Sequence, residues 1–353
     1  MNKSDSYISW LQMSFISEYP RCCNRNFVLH FPKHLPKPPN RCCLQMDTSA
    51  RLFLQKGSAV LTCRGHRVLN VYGIDFTSRP SRRKPLTCLR CIFENGVLTA
   101  QELQEWSSYQ QFETALQQPG PWIMGVDFPF GQSAQFIKNI AWPLSWSSYV
   151  EHAASLGRVG FRDALTNYRI ARPYGDREHR RKTDIAASSI SPQKLYGVPV
   201  ALMFFEGAQR LVKSGVSIPL LQEGDPNRLV VEAYPGVLAR RIIGKRSYKN
   251  DAVKRQTDEL FAARVDMLSY ILSGNAETGF GFKVAAPMSL ADDASGDQLD
   301  ALLCAMQAAW AWTMRNEDYG APHDADLLEG WIADPMLRVQ PADVSSSGST
   351  SAT

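Results

Sequence analysis

Two short runs constrain this chain more than anything else in it. HRVLNVYGIDF (66–76) and WIMGVDF (122–128) are apolar and rich in β-branched residues. Each closes on Gly, a β-branched residue, Asp and Phe. Runs of this kind, too apolar for a solvated face, read as buried strands. A carboxylate then emerges at the end of each, where α/β sheets usually place ligand chemistry.

The segments between and after them set an order. PLTCLRCIF (85–93) and VLTAQEL (97–103) read as two strands joined by Asn95-Gly96, the strongest short hairpin signal. SSYQQFETALQQ (107–118) is helical and is stopped by Pro119-Gly120. Residues 132–225 hold several helical patches and no clear strand. RLVVEAYPG (228–236) is the last strong strand, with helical stretches at 236–243 and about 251–273. GDQLDALLCAMQAAWAWTMR (296–315) is a final helix, and Ser295 and Gln298 are predicted to cap it as a capping box. The echo between GIDFTS and GVDFPFG is not a repeat, because a hairpin follows the first and helices follow the second.

Bulk properties exclude some classes. With 353 residues and 44% hydrophobic content the chain can bury a sizeable core. No run of 18 apolar residues predicts a membrane span. The net charge of +5 is misleading. Residues 1–70 hold ten Lys and Arg against three acids, and the remainder holds 29 against 31, a body of about −2. Residues 1–65, with the Pro-punctuated FPKHLPKPPN (31–40), show no sustained period and are expected to be a disordered extension. The Ser-rich end, 336–353, is expected to be a disordered tail. Five of eight cysteines lie before residue 64 with no secretory signal ahead of them, which suggests a reducing, cytoplasmic setting with free thiols. Cys88 and Cys91 form C-x-x-C, but residues three apart in a strand face opposite ways, so neither metal nor disulfide is expected.

The acids at strand ends or on the last helix are Asp75, Asp127, Glu232, Asp297 and Asp300. Singly, each has an ordinary role: closing a turn, pairing an Arg, or complementing a helix dipole. Together they say more. If the first and fourth strands are neighbours, Asp75 and Asp127 lie about 4.8 Å apart, too close for both to ionise cheaply without a cation. Asp297 and Asp300 share a helix face, continued by Cys304 and Ala308 with Ala301 and Ala305 beside it. Small residues there let the helix lie close to a sheet. Oxygen ligands without His or Cys suit Mg²⁺ or Mn²⁺, and two such ions can support phosphodiester cleavage.

The set GIDFTS, GVDFPFG, RKTD, EAYPG and DQLDALLCA, spanning about 68–335, resembles a predicted-nuclease family known as domain of unknown function 429, with a ribonuclease H-like fold. DQLDALLCA is also similar to the last helix of the Holliday-junction resolvases. The resemblance implies an α/β fold with a mixed five-stranded sheet ordered 3-2-1-4-5, flanked by helices, with residues 132–225 inserted as a helical cap. It implies Asp75, Asp127, Asp297 and Asp300 as metal ligands. Glu232 falls on the fifth strand as an outer ligand, a substrate contact or a support.

Other residues are candidates for substrate binding. Residues 158–182 carry eight Lys and Arg against three acids, with Phe161, Tyr168 and Tyr174 interleaved. They read either as a phosphate-binding patch facing the acids or as a solvated surface. Within it Arg177, with Arg181 and Asp184 from RKTD, and Thr77 after the first Asp, are the candidate contacts. His179 lies nearby without metal spacing. The expected activity is metal-dependent hydrolysis of a nucleic acid or nucleotide, away from membranes. A non-catalytic nucleotide- or partner-binding module is the alternative, and an actin-like or sugar-kinase-type phosphotransfer protein ranks below it.

Overall fold

In the computed structural model, the described residues are 27–30, 50–55, 58–63 and 68–338 except 276. The chain divides into two units, at Arg67 and Val68. In the first, strands β1 (Phe27–His30), β2 (Ala50–Gln55) and β3 (Ser58–Cys63) pair antiparallel in the order β1-β3-β2. The remainder of 1–65, and the Ser-rich tail after 338, lie outside the described residues, and with them the expectation of disorder.

The second unit is built on one mixed sheet. Its strands are β4 (Leu69–Asp75), β5 (Leu86–Glu94), β6 (Val97–Trp106), β7 (Trp122–Val126), β8 (Val216–Ser217), β9 (Asp225–Glu232) and β10 (Lys283–Ala285). They lie in the order β10-β6-β5-β4-β7-β9-β8. β4, β5 and β6 form an antiparallel meander, with Asn95 and Gly96 both at positive φ (53° and 74°), as the tight turn of an Asn-Gly hairpin requires. β7 and β9 run parallel to β4.

The expected five-stranded order 3-2-1-4-5 is corrected to seven strands, with β10 and β8 added at the edges. Both additions run parallel to their neighbours and are only three and two residues long. Strands that short carry no readable alternation.

Alternation along the strands divides two cores. Val71, Leu89, Ile123 and Val231 face helices α7 (Pro235–Ile243), α8 (Asp258–Tyr270) and α10 (Asp297–Thr313). Ile74, Cys88, Met124 and Val230 face the other way, onto α1 (Tyr109–Leu116) and the helices of 132–215. Those helices are α2 (Ala134–Asn139), α3 (Trp146–Ser155), α4 (Gly157–Ile170), α5 (Lys182–Ala186) and α6 (Val200–Ser214). The insertion thus supplies much of one covering layer of the sheet through Phe136, Tyr149, Phe161 and Phe204. Cys88 and Cys91 fall on opposite faces, both buried and free.

Helix α10 is buried nearly all round, from Leu299 to Ala311, as a helix apolar on every side must be. Its approach to the sheet rests on two glycines. A Cβ on Gly73 would stand 1.9 Å from the Ala301 carbonyl oxygen, and one on Gly125 would stand 2.3 Å from that of Cys304. Real side chains do not approach backbone so closely. The helix starts differently from expectation. Its N-cap is Gly296 at φ 76°, and Asp293 supplies the cap by accepting from the Ser295 and Gln298 amides at 3.0 Å each. Ser295 turns its hydroxyl to the same Asp293 carboxylate instead of capping the helix.

Candidate functional site

β4 and β7 are paired in register up to Ile74 and Val126, and the Asp127 amide donates to the Ile74 carbonyl at 3.0 Å. The next position on each strand is an aspartate. Asp75 shares the parity of Val71 and Gly73, and Asp127 that of Ile123 and Gly125, so both carboxylates lie on the α10 side. Asp297 and Asp300 stand in the first turn of α10. The sheet and helix therefore bring together the four aspartates expected from the sequence.

Their charges are strongly coupled. Burial, then the charges of Asp300 and Asp297, push the Asp75 carboxyl well above the usual carboxylate range, with Asp127 adding to the rise and Lys249 opposing it. Asp127 is pushed up to about 7 by burial and by Asp300, again against Lys249. Two lysines answer part of this charge. Lys84, in the loop after β4, donates to both Asp297 carboxylate oxygens at 2.8 and 2.9 Å and to Asp251 at 3.0 Å. Lys249 pairs with Asp300, which also accepts from the Tyr248 hydroxyl at 2.6 Å. Burial works against the charged form of both ammonium groups. Contact with Asp297 outweighs it for Lys84 and contact with Asp300 outweighs it for Lys249, so both stay above the ordinary lysine value.

The loop carrying Tyr248 and Lys249 is held from behind. Arg264, buried on α8, donates to the Ala291 carbonyl at 2.7 Å and the Tyr248 carbonyl at 2.8 Å. Gly296 leaves room for Lys249, since a Cβ there would stand 2.8 Å from the lysine's own Cβ. None of Lys84, Tyr248, Lys249 and Arg264 was expected from the sequence. They come from loops and a helix without a motif, and the usable signal was a sum: four clustered acids, three of them buried, demand cations.

Among the described residues no group of three His, Cys, Asp or Glu side chains is arranged to hold a metal ion. The donor set is nonetheless all oxygen, the type that hard divalent cations take. Four carboxylates face two ammonium groups, so positive charge is short by two if all four acids ionise. The side chains of Lys84 and Lys249 are 36% and 41% exposed, so both have a path outward, whereas Asp300 is fully enclosed.

Glu232 is elsewhere. It shares the parity of Val230 and points to the opposite face of the sheet. There it accepts from the Phe130 amide at 2.8 Å and from both Arg181 Nη atoms at 2.8 and 2.6 Å. Arg181 also pairs with Asp184 through Nε at 2.9 Å and Nη2 at 2.8 Å, and donates to the Glu329 carbonyl at 3.1 Å. Arg181, Asp184 and Glu232 are all buried, and their hydrogen bonds are used up within this clasp. The sequence offers Arg181 and Asp184 as candidate substrate contacts. The structure uses them to tie the insertion to the end of β9.

Thr77 is half-buried and its carbonyl accepts from Tyr109 at 3.2 Å. Of the basic stretch, Arg158 reaches the loop after Asp75 by donating to the Ser78 carbonyl at 3.2 Å. Arg177 lines a separate cavity beside α4. His179 is buried against the Tyr168 hydroxyl at 2.6 Å. No described helix is long and apolar enough to cross a membrane.

Comparison of the chain with protein-family models, with curated proteins and with solved structures found no match.

Proposed function

We propose that this protein is a divalent-metal-dependent phosphodiester hydrolase of ribonuclease H-like type, acting on a nucleic acid or nucleotide. One observation carries the reading: Asp75 and Asp127, at the ends of adjacent parallel strands, meet Asp297 and Asp300 of one helix with too little positive charge among them. Two of the four carboxyls are held above their ordinary range by burial and by one another. A bound Mg²⁺ or Mn²⁺ would supply charge neutralisation and an activated water. The chain's own part is to hold the four carboxylates on rigid elements, a strand pair and a helix packed backbone to backbone. Lys84 and Lys249, with exposed side chains, would give up Asp297 and Asp300 on loading. They would then stand at the rim, where an ammonium favours an anionic phosphate.

The interior strand order β6-β5-β4-β7-β9 supports the fold assignment, and β10 and β8 extend it at the edges. The near-neutral body does not favour a strong, sequence-independent grip on duplex DNA, so a small or single-stranded substrate suits it better. The test is Mn²⁺-dependent cleavage of single-stranded oligonucleotides and of a chromogenic phosphodiester by the full chain. Activity lost in Asp75→Asn and Asp127→Asn, with melting preserved, supports the reading. Activity in neither assay, or activity indifferent to both changes, overturns it and leaves a non-catalytic module whose aspartates are paired by lysines.

A further inference from the structure

Beside α4, the helical insertion lines an open cavity of about 420 Å³ that shares no lining residue with the carboxylate site. Its size lies within the roughly 300–1,000 Å³ of small-molecule sites. Three arginines line it: Arg162, Arg169 and Arg177. Arg162 makes no ion pair or hydrogen bond with any described residue. Arg177 spends its Nε on the Arg172 carbonyl at 3.1 Å. A facing acid, Glu178, stands 3.9 Å from the Arg169 Nε.

Two further features make the cavity more than a basic surface. Gln193 lines it and is 4% exposed. Its carbonyl oxygen accepts the His179 amide at 2.7 Å, while its NH₂ group donates to no described residue. That NH₂ group is not sealed away from the cleft, so it can donate to a ligand there. At the rim, Tyr196 is 52% exposed, with the Arg169 guanidinium 5.1 Å and the Lys194 ammonium 5.2 Å from its ring centre. Its hydroxyl donates to Glu178 at 3.3 Å.

We propose that this cavity binds a nucleotide unit, with its phosphate on Arg162 and Arg177, its base against Tyr196, and an amino or hydroxyl group donating to Glu178. The inference stands on the cavity and does not depend on the metal reading. Each part of the ligand answers one part of the wall. Two free guanidinium edges suit a doubly charged phosphate better than a single carboxylate. An exposed aromatic ring in a cationic setting offers the stacking platform that any base accepts. A lone acid among three arginines is out of place for a bare anion but fits a ligand that also carries donors.

The test is calorimetric titration of the full chain with AMP, inorganic phosphate and oligo(dA), all in EDTA. AMP binding is expected, tighter than phosphate alone. Arg162→Gln and Tyr196→Ala, both at exposed side chains, each weaken it about tenfold, while Asp75→Asn leaves it unchanged. Oligo(dA) tighter than AMP identifies a single strand as the source of the nucleotide, and AMP the tighter identifies the free nucleotide. No AMP binding up to roughly millimolar concentration, a Kd unmoved by Arg162→Gln, or phosphate binding as tightly as AMP overturns the proposal. Because the titrations exclude metal and include Asp75→Asn, a failed carboxylate site and a failed cavity are told apart.

Discussion

A methyl group on Gly73 would stand 1.9 Å from the carbonyl oxygen of Ala301. The strand that ends in Asp75 and the helix that begins with Asp297 are therefore held at backbone contact. Gly73→Ala must push the helix off the sheet and with it the aspartates of its first turn. The expected cost is about 1–3 kcal/mol or more, read as a lowered midpoint in urea, with any Mn²⁺ binding weakened in parallel. Gly125→Ala, against Cys304, behaves alike. A fully stable Gly73→Ala protein would mean that the close packing is not needed.

The buried clasp predicts a second loss. Arg181→Met removes the cation from between Asp184 and Glu232 and leaves two enclosed carboxylates without a counter-charge. Breaking such a pair from one side costs about 3–5 kcal/mol. Thermal melts should show a large drop, smaller in the Arg181→Met/Glu232→Gln double variant because one orphaned charge is gone. Equal losses in single and double variants would contradict the pairing.

The sign of the pH dependence follows from Asp127. Its carboxyl titrates at about 7 in the folded chain, against about 3.9 when unfolded. Between these values the folded state binds the extra proton, so stability from this group is highest at low pH and falls as pH rises through the window. Metal-free protein should therefore melt at a lower temperature above pH 7 than at about pH 5 as far as this group is concerned. Asp127→Asn should flatten the trend and raise the melting temperature at the alkaline end. A variant that melts lower than the parent there would contradict the placement of Asp127 among like charges.

Lys249 tests the charge balance from the other side. Lys249→Met leaves the enclosed Asp300 with the Tyr248 hydroxyl alone. Allowing for the lysine's exposure, the loss should be about 1–3 kcal/mol in metal-free buffer. If a divalent ion takes that place, Mn²⁺ should restore stability to this variant more than to the parent. Equal stabilisation of both would show that the ion and the lysine do not share a position.

What could be read from the sequence was what repeats along the backbone. The runs ending in Asp75 and Asp127, the hairpin at Asn95-Gly96 and the small-residue face of the last helix each follow from alternation, turn chemistry or helical spacing, and the structure places all of them. What escaped depends on contacts between distant segments. Lys84 lies 213 residues before Asp297, and no local pattern links them. The sequence leaves Glu232 open between outer ligand, substrate contact and support, and the structure uses it as a support. It ends a strand as the two aspartates do, but one residue of parity sends it to the opposite face. Arg181 and Asp184 are candidate substrate contacts because RKTD belongs to the motif set that carries the family resemblance. Their burial becomes visible only once the insertion packs as a layer on the sheet.

The central claim is that Asp75, Asp127, Asp297 and Asp300 form one cation site. Calorimetric titration of the full chain with Mn²⁺ at about pH 7, repeated in buffers of different ionisation enthalpy, tests it most directly. The account predicts saturable binding with release of protons from the raised carboxyls, abolished in Asp75→Asn and Asp127→Asn. No binding, or binding unchanged by both substitutions, would contradict it.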